Sequence, residues 1–417
     1  MATSDAPGRS KLVWTLAASF SIVALVVTAL SLTVPLRYHF DAHIYQMGAR
    51  AWLAGHHLYG DTLFSTWIDG DLEPFTYPPV AAVLFSPLAW LPVLHAGTVL
   101  TVVSTLSLFA SIAILLNSLA AGAATGPEPV WRRAGLAAAI SVAVIWLDLE
   151  PVASTIDLGQ INLALMALVL ADCLPQRTFW PRGLLVGVAI AVKLTPAVFL
   201  LYFLLRRDFR GVGVAAAGFA TATMVGFVLA ASDSVEYWFG TVGDTGRIGP
   251  AGRNANQNVA GLLVRAGLDG TAHFVAWATA GVAVLVLTVW AVRRALNSGQ
   301  PQLALIAVAL FGLVVSPVSW SHHWVWFVPA IVTLLVVGVR RRSTPLVLAG
   351  VAGVAITYWH PLSLMNDGSG LWIQFVGTAY VWWALAVIAT VGLTCAARAA
   401  SPRRSPEYVP PAKSLRT

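Results

Sequence analysis

Charge is what this chain has least of. Of its 417 residues only 10% are Asp, Glu, Lys or Arg, while 58% are hydrophobic. A water-soluble domain carries about 25% charged residues, so these proportions exclude an ordinary water-exposed surface. Cysteine is nearly missing too: Cys173 and Cys395 both lie inside apolar runs, which excludes a disulfide framework. No Gly-rich phosphate loop is present and no polar stretch is long enough for a cytosolic catalytic domain, which argues against a nucleotide-activated substrate. There is no discernible internal repeat, and polarity is biased to one face. Both disfavour a transporter or flippase built from symmetric halves.

What the chain has instead is a series of apolar runs able to cross a hydrocarbon core of ~30 Å. We read spanning segments near residues 12–34, 95–117, 134–149, 159–174, 211–232, 271–292, 302–318, 323–339, 344–359 and 371–395. The first is too long for a signal-peptide core and has no small-residue cleavage site, so it reads as a retained helix. Residues 183–205 carry Arg182 before them and Arg206, Arg207 and Arg210 after them, with Lys193-Leu-Thr-Pro196 in the middle. Pro breaks helices, so this run predicts two short helices folding back at Lys193. The expectation is an all-α polytopic membrane protein of about 12 segments. Residues 1–400 form one transmembrane domain, residues 78–92 a surface helix or hairpin, and residues 401–417 a disordered cytoplasmic tail.

With both termini cytoplasmic, nineteen of the 25 Lys and Arg residues fall inside, as the positive-inside rule requires. The net charge of +7 is thereby an orientation signal, not a nucleic-acid footprint. All nine histidines land at or near the outer side, so the wet chemistry belongs on that face, with loops 35–94 and 233–258 as its catalytic and substrate loops.

Asp41, just beyond the first helix among His43 and Tyr45, suits a general base; it equally suits an N-cap for a helix over 42–53. Asp69-Gly-Asp71 and His56-His57 look like metal pairs, yet the first is turn chemistry and adjacent histidines on a helix face apart. No metal or other cofactor is expected. Gln160 and Asn162 suit either sugar hydroxyls or interhelical hydrogen bonds. Lys193, alone in an apolar run, needs a partner: a phosphate, or an ion pair with Asp157. Asp244, Arg247, Arg253, Asn254, Asn256, Gln257 and Asn258 make one loop rich in amides and guanidiniums. Asp233 and Glu236 read as ordinary solvated acids. Finally His322 and His323 are wedged among Trp320, Trp324 and Trp326, where aromatic faces can stack on sugar rings.

Six of these stretches, in order along the chain, resemble glycosyltransferase family 87 of the GT-C superfamily. They are Asp41-Ala-His-Ile-Tyr45, Phe75-Thr-Tyr-Pro-Pro-Val80, Leu158-Gly-Gln-Ile-Asn-Leu163, Val192-Lys-Leu-Thr-Pro196, Asn256-Gln-Asn-Val-Ala-Gly-Leu-Leu263 and Ser316 to Trp326. The likeness is greatest to members that add α-1,2-mannose to phosphatidylinositol mannosides, and relatives acting on lipomannan share the motifs. The resemblance implies a GT-C bundle with outer-face loop helices, a polyprenyl-phosphate-mannose donor and a glycolipid acceptor held among membrane lipids. It also implies that Asp41 is the catalytic carboxylate. On that basis Asp41 or His322 acts as the base, and Lys193, Arg247, Arg253 and His323 take the donor phosphate. Gln160, Asn256, Gln257, Tyr77, Trp324 and His43 hold the sugars.

Overall fold

The computed structural model describes residues 7–33, 36–59, 74–121, 129–366 and 369–395. The expected tail 401–417 and the Asp69-Gly-Asp71 pair lie outside those residues. The chain forms α1 (Pro7–Thr33), α2 (Phe40–Leu53), α3 (Pro79–Leu84), α4 (Val93–Ala121), α5 (Val130–Trp146) and α6 (Glu150–Leu158). There follow α7 (Asn162–Cys173), α8 (Leu184–Val192), α9 (Phe199–Leu205), α10 (Phe209–Leu229), α11 (Ala231–Glu236) and α12 (Val259–Arg265). The last six are α13 (Gly270–Asn297), α14 (Pro301–Val315), α15 (Phe327–Arg341), α16 (Thr344–Trp359), α17 (Leu371–Gly377) and α18 (Ala379–Thr394). Helices α3, α6, α14 and α16 carry Pro at their first or second position, where its missing N–H costs nothing. Among the described residues there is no strand, only an isolated antiparallel bridge between Asn256 and Trp320.

Among the described residues, five helical stretches are long and apolar enough to cross a membrane: α1, α4, α10, α13 and the run Ser321–Arg341 that contains α15. The bent pairs α5–α6 (81°) and α17–α18 (57°) raise this to seven. The figure of about twelve also counts shorter apolar helices, among them 162–173, 301–315 and 344–359, and both halves of 183–205.

Run 183–205 folds back as its charge pattern predicts. Gly183 N–H donates to both carboxylate oxygens of Asp172 at 3.0 Å, near the end of α7. Arg206 Nη1 returns to the Cys173 carbonyl at 3.4 Å. The apex, Lys193, meets Asn162 at the opposite end of α7, about 18 Å away at 1.5 Å per residue. The run thus leaves and rejoins one end of the bundle without crossing it.

Basic residues collect at that same end. Arg340 Nη1 donates to Leu119 O at the close of α4, and Arg294 Nε to Cys395 O after α18. Tyr202, midway along α9, donates through Oη to Pro301 O at the start of α14. Helix α1 runs parallel to α5: Arg132 stacks over Trp14 at 4.2 Å, and fourteen residues further along each helix Trp146 Nε1 donates to Thr28 Oγ1 at 3.0 Å.

The apolar interior has two parts. The larger lies among α4, α7, α14, α15 and α18, around Leu108, Leu170, Leu310, Leu334 and Ile388. The smaller lies under α2 and α3, around Tyr45, Phe75, Ala82 and Leu100. Residues 78–92, expected as a surface helix or hairpin, are α3 followed by a 3₁₀ turn, Ser86–Trp90. Gln46 of α2 donates to the carbonyls of Leu88 and Leu91 (2.8 and 2.7 Å), and Arg50 Nε to that of Ala89 (3.0 Å). These bonds fix α2, and with it everything its first turn presents.

Candidate active site

A cavity of about 650 Å³ opens at the end of the bundle opposite the basic clusters. Its walls come from the first turn of α2, the Thr76–Pro78 strap, the ends of α6 and α8, the 237–255 segment and the loop before α15. Helix α2 is capped by the backbone at His39 without a side-chain bond, so Asp41 is not the N-cap. It is the second helical residue and faces the cavity. A carboxylate there is favoured by the helix dipole. His43, two residues on, lies about 200° round the helix from Asp41. It is absent from the cavity wall and its Nδ1 instead shares a hydrogen bond with Tyr38 Oη at 2.9 Å, with the two rings edge to face. The sugar role expected for His43 finds no geometric basis.

Lys193 is the hub. Helix α8 ends at Val192, and Lys193 turns extended, with φ −152° and ψ 126°. Its ammonium donates to Asn162 Oδ1 at 3.0 Å, Gln160 Oε1 at 3.5 Å and His323 Nε2 at 3.3 Å, and it stands 5.4 Å from the centre of the Tyr77 ring. An ammonium has no acceptor lone pair, so His323 must present an unprotonated Nε2 here. Asp41 is the acid whose charge acts on Lys193. Asp157, the other partner considered, lies instead 3.8 Å from Arg37 in an exposed pair.

Gln160 is held by three donors around its oxygen. Tyr45 Oη donates at 2.7 Å, with Tyr77 Oη at 3.4 Å and Lys193 beyond. Burial pushes the Tyr45 hydroxyl well above its ordinary range, so it remains a neutral donor. The amide nitrogen of Gln160 has no partner among the described residues and is available to a ligand. Gly159 makes this register possible: its φ is +72°, and a Cβ there would stand 2.7 Å from that of Ala42. Only glycine lets α6 end against the start of α2.

His322 is clamped from behind, its carbonyl accepting from Thr155 Oγ1 at 2.8 Å and Asn162 Nδ2 at 2.9 Å. Its ring meets that of His323 edge to face at 4.7 Å, and its buried Nε2 has no partner among the described residues. Arg247 and Arg253 line the same cavity, with Arg247 Nη2 also donating to Tyr59 O at 3.0 Å.

Three expected sugar ligands are elsewhere. Asn256 and Gln257 are fully buried. Asn256 donates to Ala251 O and accepts from Ser319 N–H at 2.8 Å each; Gln257 donates to Asn254 O and Gly377 O. Both amides clamp loops together. Asn258 does the same, capping α12 at Gly261 N–H and donating to Ser316 O. Trp324 is fully buried against Phe327 and Tyr380, with ring centroids 5.7 and 5.5 Å away. Trp320 lines the cavity in its place. Sequence reasoning also missed Thr195, Tyr237 and Ser321 on the wall. Tyr45 was findable, since it lies one helical turn (i, i+4) from Asp41.

A second, apolar cavity of about 320 Å³ adjoins the first across Thr195, Pro317, Val318 and His323 and runs between α7, α9 and α14 past Leu165, Phe199 and Leu313.

The family model described as glycosyltransferase family 87 matches residues 75–317. A protein of Mycobacterium tuberculosis named polyprenol-phosphate-mannose-dependent alpha-(1-2)-phosphatidylinositol mannoside mannosyltransferase is 50% identical over 404 residues, covering 95% of this chain and 94% of its own. The identically named protein of Mycolicibacterium smegmatis is 51% identical over 377 residues, with coverages of 87% and 85%. A Mycobacterium tuberculosis protein named for the pentamannoside instead is 32% identical over 409 residues, covering 94% and 91%. No solved structure matches the chain.

Proposed function

The chain belongs to glycosyltransferase family 87, and on that premise we propose that it is an inverting α-1,2-mannosyltransferase of the cytoplasmic membrane. It moves mannose from polyprenyl-phosphate-mannose to a phosphatidylinositol mannoside. The names of the relatives at 50% and 51% identity support donor and acceptor alike. A transporter reading has no such support.

The observation that carries the chemistry is the shared cavity of Asp41 and Lys193, a carboxylate and an ammonium lining one space and close enough for their charges to interact. Asp41 takes the proton from the acceptor 2-hydroxyl as that oxygen attacks the anomeric carbon. The new C–O bond forms as the bond to the phosphate oxygen breaks, and the electron pair leaves on the polyprenyl phosphate. Lys193 with Arg247 and Arg253 neutralises the charge growing on that phosphate, which lowers the barrier more than it aids ground-state binding. His322, on the same cavity wall, orients the acceptor or shares the proton. Gln160, Tyr77 and Trp320 flank the sugars. The apolar cavity beyond His323 suits the first isoprene units of the donor.

The basic clusters at the opposite end of the bundle support a cytoplasmic placement for that end and an outer-face site. The decisive experiment is transfer of radiolabelled mannose from polyprenyl-phosphate-mannose to a panel of phosphatidylinositol mannosides by the purified protein. Labelled glycolipid names the acceptor; no product with any acceptor overturns the assignment.

A further inference from the structure

Beside the cavity, yet outside its wall, three side chains converge that the transfer reaction does not use. His57 follows α2, and Asp233 and Glu236 stand one turn apart on α11. A ligand atom from each lies within 4.8 Å of the other two. We propose that His57, Asp233 and Glu236 form a structural site for a divalent transition-metal cation, zinc first among them.

Charge gives the first argument. The Asp233 side chain is only 8% exposed. Its oxygen accepts from Leu58 N–H at 2.9 Å, and no Lys or Arg pairs with it among the described residues. A buried carboxylate is costly unless a cation faces it. Glu236, three residues on along the same helix, adds a second negative charge to the cluster and repels the first. One cation between the two acids removes both difficulties.

Distance gives the second. His57 Nδ1 lies 3.7 Å from Asp233 Oδ1, too long for a hydrogen bond. Two ligand atoms each ~2.1 Å from a tetrahedral zinc stand roughly 3.4 Å apart. The observed gap is therefore close to what an intervening ion needs. The Leu58 N–H bond holds the carboxylate in orientation, the part that an outer hydrogen bond plays at metal sites.

Ligand type gives the third. One imidazole with two carboxylates suits zinc or manganese, with water completing the shell. Calcium prefers an all-oxygen set of six or more ligands, which these three residues do not supply.

The cation would tie the 54–59 segment to α11 and so brace the cavity. Tyr59, two residues from His57, donates to Tyr77 O at 2.7 Å and accepts from Arg247 at its own carbonyl. Its ring also packs on Tyr237 at 5.4 Å. Tyr77, Arg247 and Tyr237 all line the reaction cavity, so the metal acts on the wall and not on the chemistry.

The test needs no activity. Full-length protein purified on a tag without histidine is stripped with EDTA and titrated with Zn²⁺, then with Mn²⁺ and Mg²⁺. Bound metal is read by mass spectrometry after gel filtration, and Tm by tryptophan fluorescence. One equivalent of zinc at micromolar concentration, with a raised Tm, is expected of the wild type. His57→Ala and Glu236→Gln each weaken binding roughly tenfold or more and remove the Tm rise; both side chains are exposed, so the metal-free Tm stays put. Variants that keep wild-type affinity place the zinc elsewhere and overturn the proposal. So does a wild type that binds neither zinc nor manganese in this range.

Discussion

Asp41 stands in the first turn of α2, where the helix dipole favours a carboxylate, and shares its cavity with Lys193. Replacement by Asn keeps the shape and removes the proposed base. Transfer by Asp41→Asn should fall by roughly 10²–10⁴-fold with an unchanged Tm; near-normal turnover would move the base to His322. Lys193→Ala should lower kcat/KM for the donor by roughly 10²-fold or more while the acceptor KM stays close to normal. Equal losses on both substrates would mean that Lys193 only holds Asn162 and Gln160 in place. The tryptophans separate cleanly. Trp324→Ala opens a hole against Phe327 and Tyr380 and should cost about 3–5 kcal/mol of stability, read as a lowered denaturation midpoint. Trp320→Ala, on the cavity wall, should raise KM with a smaller loss of stability.

Elements position these residues through a few backbone devices. Gly159 ends α6 in a left-handed turn pressed against Ala42. Gly159→Ala should cost about 1–2 kcal/mol for the backbone alone, and the clash would displace the first turn of α2, so activity should drop more than stability predicts. Wild-type turnover in Gly159→Ala would show that Asp41 is positioned by other contacts. The fold-back of α8 and α9 was legible in the sequence, because arginines at both ends and Lys193-Leu-Thr-Pro196 between them admit no single crossing. The roles of the Asn256-Gln-Asn258 run were not legible. An amide that binds a sugar and one that clamps a loop are the same side chain, and partners such as Ser319, Ser316 and Gly377 are about 60 to 120 residues away. Removing the α12 cap in Asn258→Ala should cost about 0.5–2 kcal/mol, seen as a lower Tm with the sugar KM values unchanged.

The whole molecule has a polar end and a basic end. Both native cysteines are buried, so introduced ones can be labelled over a low background. A membrane-impermeant maleimide on intact cells should reach His56→Cys, and should reach Arg177→Cys only after permeabilisation; the reverse pattern would invert the proposed topology. The sequence by itself determined the membrane character, the helical class and the order of the six motifs. Those follow from local composition: apolar run length and the side on which charge is tolerated. It also marked Gln160 and Lys193, since a polar group at membrane depth is costly, and Asp41 and His322, since both stand in polar outer-side loops among aromatic and histidine side chains. Only the tertiary structure decided which way each polar group faces. It turned His43, Asn256, Gln257 and Trp324 away from the cavity, brought Trp320 and Tyr237 onto its wall, and set His57 beside Asp233. Such choices depend on contacts between residues far apart in the chain, which no local pattern encodes.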